Sequence, residues 1–313
     1  MPDWLIERGI GESRTALVDE GRIVEARISR EGIVPAGTVL AARLVMTGRT
    51  AVARADGQEY LLPKGAPGIT EGAALAIEVT REMLAGAEPW KRPLARVTDE
   101  MPRTATPLEG RELSFPAPDD RLETVGWSDL LDEARSGIIA FPGGELRVSP
   151  TPAMTLIDVD GTLAPEALAL AGATAAAHAI RRHGIGGSIG IDLPTIGGKA
   201  ARQAIAEAVD ALLPQPFERT AVNGFGFLQI IRPRRHASLF ELAADRVPFE
   251  ARALLRRAAR DTGALRLVAH PAVIAAIEAH PDWIERLATQ VGGTVSLRGE
   301  PALAMAAGYA TNA

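Results

Sequence analysis

Two stretches decide how this chain is read: Met154-Thr155-Leu156-Ile157-Asp158-Val159-Asp160-Gly161 and Gly187-Ser188-Ile189-Gly190-Ile191-Asp192-Leu193-Pro194. Each is a short aliphatic run that closes on an aspartate. Between them, 165–183 is Ala-rich and opens on Pro165, which suits the first turn of a helix. A second helix is predicted over 200–213, and further strands over 220–223 and 227–232. A hairpin is predicted just upstream, 137–141 and 145–149 around Pro142-Gly143-Gly144. Strands alternating with helices imply a sheet covered by helices.

In such a sheet, ligand sites form at the carboxyl ends of strands. Two carboxylates brought together there repel, and a divalent cation relieves the repulsion. Any single strand-end aspartate is more often a cap or turn residue. Two of them, Asp158 and Asp192, flanking one helix favour a metal-assisted phosphoryl site.

Working outward, 1–100 reads mostly as strands. Short runs at 39–46, 50–54, 60–62, 75–81 and 94–97 are separated by Thr47-Gly48, Asp56-Gly57 and Lys64-Gly65 turns. Five such strands suit a small OB-type barrel. Residues 101–126 form a Pro-rich, charged connector, and a helix is predicted over 128–135 with Ser128 as its cap. Beyond 245, helices at 248–262, 271–280 and 283–291 and strands at 264–269 and 294–298 make a small α/β appendage.

The chain has 313 residues, a formal net charge of −5, 4% aromatics and no cysteine. Disulfides, thiolate zinc sites and cysteine nucleophiles are therefore excluded. No run is long and apolar enough for a bilayer, and Met1-Pro2-Asp3-Trp4 is no export signal, so a soluble, cytoplasmic protein with no membrane partner is expected.

Several motifs compete. Asp158-Val159-Asp160-Gly161-Thr162 spells the nucleophile motif of haloacid-dehalogenase phosphatases. No adjacent Asp pair follows it, however, and Lys199 is the only lysine after Lys91. Gly197-Gly198-Lys199-Ala200 is not a P-loop, and the five histidines show no zinc pattern. Arg232, Arg234 and Arg235 could hold an RNA backbone, although such a run is as often a solvated turn. Arg252, Arg256, Arg257 and Arg260 have helical spacing and read as a solvated face. In the barrel, Tyr60 is the strand aromatic available for base stacking. Lys91 and Arg92, beside Trp90, are further phosphate contacts.

Together these segments resemble the ribonuclease E/G family over most of the chain. Leu156-Ile157-Asp158-Val159-Asp160 resembles that family's Ile-Asp-Val-Asn segment. Gly186-Gly187-Ser188-Ile189-Gly190-Ile191-Asp192 resembles its Gly-Gly-hydrophobic-Asp strand. Phe225-Gly226-Phe227-Leu228-Gln229-Ile230-Ile231-Arg232-Pro233-Arg234 is similar to its Phe-Gly-Leu-Leu-Glu-Met-Ser-Arg-Gln-Arg block. The resemblance implies a metal-dependent endoribonuclease that cuts single-stranded RNA to 5′-phosphate and 3′-hydroxyl products. Asp158 and Asp192 would hold Mg²⁺ or Mn²⁺, assisted by Asp160. Tyr60, Lys91, Lys199, Arg232, Arg234 and Arg235 would contact RNA.

The implied fold is α/β in an α+β multidomain arrangement. Residues 1–36 and 101–135 are a ribonuclease-H-like remnant, and 37–100 are the OB-type RNA-binding barrel. Residues 136–245 are a deoxyribonuclease-I-like catalytic subdomain, and 246–313 a small C-terminal α/β domain. The family's Cys-x-x-Cys zinc link is impossible here, so no zinc is expected and a homo-oligomer would have to form without it. Barrel and connector leave no room for a 5′-end sensor, Gly224 stands where the family has a basic residue, and the segment 83–89 reads as an insertion. The alternatives are a catalytically degenerate RNA-binding accessory protein and, behind it, the phosphatase using Asp158.

Overall fold

The computed structural model describes residues 3–84, 91–117 and 119–313, which form a mixed α/β protein. Strands β1 (Asp3–Arg8), β2 (Glu12–Asp19) and β3 (Arg22–Arg30) are followed by the barrel strands β4 (Val39–Met46), β5 (Ala51–Ala55), β6 (Gln58–Leu62), β7 (Ala74–Arg81) and β8 (Leu94–Thr98). Next come β9 (Arg111–Leu113), α1 (Arg121–Thr124) and α2 (Trp127–Ser136). The α/β stretch contains β10 (Ile138–Phe141), β11 (Gly144–Pro150), β12 (Thr155–Gly161), α3 (Pro165–Arg182), β13 (Gly187–Asp192), α4 (Lys199–Leu212), β14 (Glu218–Arg219) and β15 (Phe227–Arg232). The chain ends with α5 (Leu239–Ala244), α6 (Arg246–Ala258), β16 (Leu265–Ala269), α7 (Pro271–Glu278), α8 (Pro281–Val291), β17 (Val295–Gly299) and β18 (Tyr309–Asn312).

Two compact units result, one from 1–31, 110–132 and 242–313, the other from 32–109 and 133–241. The first contains the sheet β3-β2-β1-β9 and the sheet β17-β16-β18. The segment 246–313, set apart in the sequence reading, thus shares a unit with the N-terminal strands.

Arg252 and Arg256 of α6 and Arg260 just beyond it show why: Arg257 is exposed as expected, but these three correct the expectation of a solvated face. Arg252 and Arg256 are buried. Arg256 pairs with buried Glu12, and Arg252 donates to the Gly11 carbonyl at 3.0 Å with its guanidinium over the Trp283 ring. Arg260 reaches Glu7 at 3.0 Å and Asp120 at 2.7 Å, sharing both with Arg14. Buried charges persist only when paired in this way.

In the second unit, β4-β5-β6-β8-β7 close into a five-stranded barrel, with β6 and β8 parallel. Small residues fill it: Ala42, Ala51, Ala53 and Ala55 pack with Leu44, Leu62, Ile77 and Tyr60. The six-stranded sheet runs β10-β11-β12-β13-β15-β14. Its strands alternate, with Leu146, Ile157, Val159, Ile189, Ile191, Leu228 and Ile230 buried on one side, apart from β13, where Gly190 on the other side is buried as well. Helices α3 and α4 lie side by side on that face. Ala169, Ala173, Ala176 and Ala177 of α3 are buried, and Gly172 sits directly against Val159. The alanine bias therefore serves a close helix-to-sheet approach. The strand expected over 220–223 is instead the short β14.

Candidate functional site

Because the sheet's buried side takes the odd positions of β12, its even positions face the other way. Leu156, Asp158 and Asp160 stand on the face opposite α3. In β13 the same alternation sends Ser188, Gly190 and Asp192 to that face. The parallel register pairs Asp158 with Asp192 directly, so the two Cα atoms are one strand spacing, about 4.8 Å, apart. The row continues on both flanks: Arg147 of β11 is paired with Asp158, and Phe227 of β15 with Asp192. Arg147, Asp158, Asp192 and Phe227 thus form one line across four strands.

Both carboxylates are exposed, and neither has a hydrogen-bond or ion-pair partner among the described residues. Arg147 is held by Glu145, its Nε 2.9 Å from Oε1. Asp160 is the cross-strand partner of Glu145 and accepts from the Gly161 amide at 2.9 Å. With Gly143, Gly144 and Thr162 these residues line a surface depression.

Two adjacent carboxylates without a direct ion-pair partner repel, which makes the pair a receptor for positive charge. Among the described residues no group of three or more Asp, Glu, His or Cys is arranged to hold an ion. A closed protein cage is therefore not what the donors offer. They fit Mg²⁺, which takes one or two carboxylates and fills its remaining positions with water and phosphate oxygens.

The basic cluster is not brought to this pair. Arg232 is paired with Gly187, five residues before Asp192 on β13, which places it roughly 16 Å away along the strand. Arg232 donates to the Ile185 carbonyl, Arg234 is ion-paired with Glu241, and exposed Arg235 accepts at its carbonyl from the Glu82 amide of the barrel side. Lys199 is exposed as the first residue of α4, after a loop that Arg202 ties through the Ile196 and Gly197 carbonyls. Lys91 precedes β8, and its neighbour Arg92 pairs with Glu59 at 3.1 Å. Trp90 and most of the 83–89 insertion lie outside the described residues.

Tyr60 is corrected outright. It is 2% exposed, in the barrel core, and burial pushes its hydroxyl pKa up with Asp56 adding to the effect. A ring packed on all sides offers no face to a base. Phe227 and Arg147 join the row of Asp158 and Asp192, and Phe225 its neighbouring turn, without having been expected there from the sequence. An available signal was the glycine-flanked aromatic pair Gly224-Phe225-Gly226-Phe227 at the start of a strand. Among the described residues no helix is long and apolar enough to cross a membrane. No family model matches the chain, and no curated protein resembles it at a significant level.

Proposed function

We propose that this chain is a metal-dependent endoribonuclease of the ribonuclease E/G type, cutting single-stranded RNA to 5′-phosphate and 3′-hydroxyl ends. The observation that carries the reading is the in-register, unpartnered pair Asp158 and Asp192 on the face opposite α3. Its support from elsewhere is the barrel order β4-β5-β6-β8-β7, which suits an OB-type module, and the sheet with helices on one side, which suits the catalytic subdomain.

Asp158 and Asp192 would hold the ion, and Asp160, two residues along the same face, would help to orient a water there. Bound Mg²⁺ or Mn²⁺ supplies water activation and charge stabilisation at the scissile phosphate. Arg147, beside Asp158, is placed to meet a phosphate oxygen. Lys199 and Arg235, both exposed, remain available to more distant phosphates of the strand.

The test is Mg²⁺-titrated cleavage of a labelled single-stranded RNA bearing either a 5′-monophosphate or a 5′-hydroxyl. Asp158→Asn and Asp192→Asn are each expected to lower the rate by more than about a hundred-fold while retaining the fold. Little preference between the two 5′ ends is expected. Parental cleavage by either variant would overturn the site. Salt-sensitive binding without turnover would favour the accessory protein. Hydrolysis of small phosphate esters through an aspartyl-phosphate at Asp158 would favour the phosphatase.

A further inference from the structure

Phe225 is 83% exposed, more than any other large apolar side chain among the described residues. In a chain with only 4% aromatics, an exposed ring on the turn next to Leu193, the residue after Asp192, has no folding role to explain it. Its backbone is tightly held. The Asn223 side-chain oxygen accepts from the amides of Phe225 at 2.9 Å and Phe227 at 3.0 Å. The Asn223 amide donates to the Phe227 carbonyl at 3.0 Å, and Leu193, the residue after Asp192, donates to the Gly226 carbonyl at 3.2 Å. Gly226 has φ +95°, and a Cβ there would strike the Leu193 carbonyl. The turn is thus fastened to the end of the strand that carries Asp192.

Phe227 continues the arrangement on the sheet. It is the cross-strand partner of Asp192, and its ring leans over Gly190, where a Cβ would stand 2.6 Å from the ring's Cζ. A side chain at 190 would lift the ring, so the glycine makes its place. At this position the ribonuclease E/G block resembled above has Leu, so the aromatic is this chain's own feature.

We infer that Phe225 and Phe227 form a base-stacking step, seating the nucleobases next to the phosphate that a cation at Asp158 and Asp192 would hold. The inference rests on the endoribonuclease reading for its ligand and adds how the strand is gripped. Every base presents a π-face, so the step would be tolerant of sequence. It takes over the part assigned to Tyr60, whose ring is buried.

The experiment uses the full chain and a single-stranded oligoribonucleotide carrying 2-aminopurine at successive positions, with Ca²⁺ in place of Mg²⁺ so that the carboxylate pair is neutralised while the RNA stays intact. Parental protein is expected to quench the fluorophore at one or two adjacent positions. Phe225→Ala and Phe227→Leu should each weaken binding by roughly 5- to 100-fold and relieve the quenching. Phe225→Trp should restore both, and an abasic residue at the quenched position should make parental and variant proteins equal. Undiminished affinity and quenching in both variants would overturn the step while leaving the cleavage assay to judge the nuclease. Quenching lost in the variants, with no Mg²⁺-dependent cleavage by the parent, would uphold the step and overturn the hydrolytic reading. No RNA binding at all would overturn both. Loss of a dimer in Phe225→Ala, with RNA affinity unchanged, would assign the ring to contact between copies and overturn the step.

Discussion

Gly226 is where one residue's geometry governs the approach to Asp192. Its φ of +95° disfavours any residue with a Cβ, and the Leu193 carbonyl occupies the space a Cβ would need. Gly226→Ala is therefore expected to lose about 2–4 kcal/mol, the sum of a left-handed penalty and an overlap with rigid backbone. Urea unfolding at unchanged m would show it, and a loss below about 1 kcal/mol would mean that the turn yields. His183 carries a second single-residue effect. Its ring is fully buried, packs 4.5 Å from Phe240, and meets Glu133 with Nε2 2.9 Å from Oε2. Burial, with Arg182 nearby, lowers its pKa despite the pull of Glu133. The folded state thus keeps the ring neutral, whereas the unfolded chain takes up a proton near the ordinary value of about 6.5. The associated stability is complete above that value and is lost as pH falls towards the folded pKa. Between pH 7 and 5 the unfolding midpoint should drop in the parent and drop less in His183→Gln. Equal slopes would remove His183 as the source.

At the scale of the element, α3 against β12 sets two opposing effects at one position. Gly172→Ala gains about 1 kcal/mol of helix propensity, but the added methyl would overlap Val159. Overpacking of a close-packed interface costs typically about 1–3 kcal/mol, and here the neighbour is a β-branched side chain with few alternative rotamers. The overlap should win, with a net loss of up to about 2 kcal/mol in thermal or urea unfolding. A stabilised variant would show that the helix can move outward without penalty. The same pairing explains what the sequence could reveal. Ile157 and Val159 alternate with Asp158 and Asp160, so β12 and its two faces were legible from a period of two. Glycine turns likewise marked the five barrel strands. Register was not legible: that Asp158 meets Asp192, and that Arg232 lies five residues off, depends on pairing between distant strands. The α6 arginines were misread for a similar reason. Helical spacing looks the same on a solvated and on a buried face, and the partner of Arg256 lies 244 residues away. Tyr60 obeyed the alternation of its strand, but which side of β6 is the inside of the barrel is fixed only by closure.

For the whole molecule, chain order and spatial order part company, and this has a measurable consequence. The first unit draws 242–313 back onto 1–31, with Ile10 packed among Leu254, Leu255, Leu267, Ile277, Trp283 and Leu287. A chain ending after Asp245 would leave Glu12 buried without Arg256, and would deprive Glu7 and Asp120 of Arg260. Removing one partner of a buried pair costs about 3–5 kcal/mol. Uncovering Ile10, which packs into that core, adds about 1.5–3 kcal/mol. Together these come to about 4.5–8 kcal/mol, comparable with the 5–15 kcal/mol by which a typical domain is stable, so the unit as a whole should fail to fold. The second unit keeps its own cores, around Leu44, Tyr60 and Ile77 in the barrel and around Ile157, Ile189 and Leu228 in the sheet. Hydrogen exchange on the truncated chain is accordingly expected to show unprotected amides in β1–β3 and protected ones in β4–β8 and β12–β13. Protection retained in β1–β3 would mean that the N-terminal sheet stands without the buried arginines, and that the pairs they make add little to its stability.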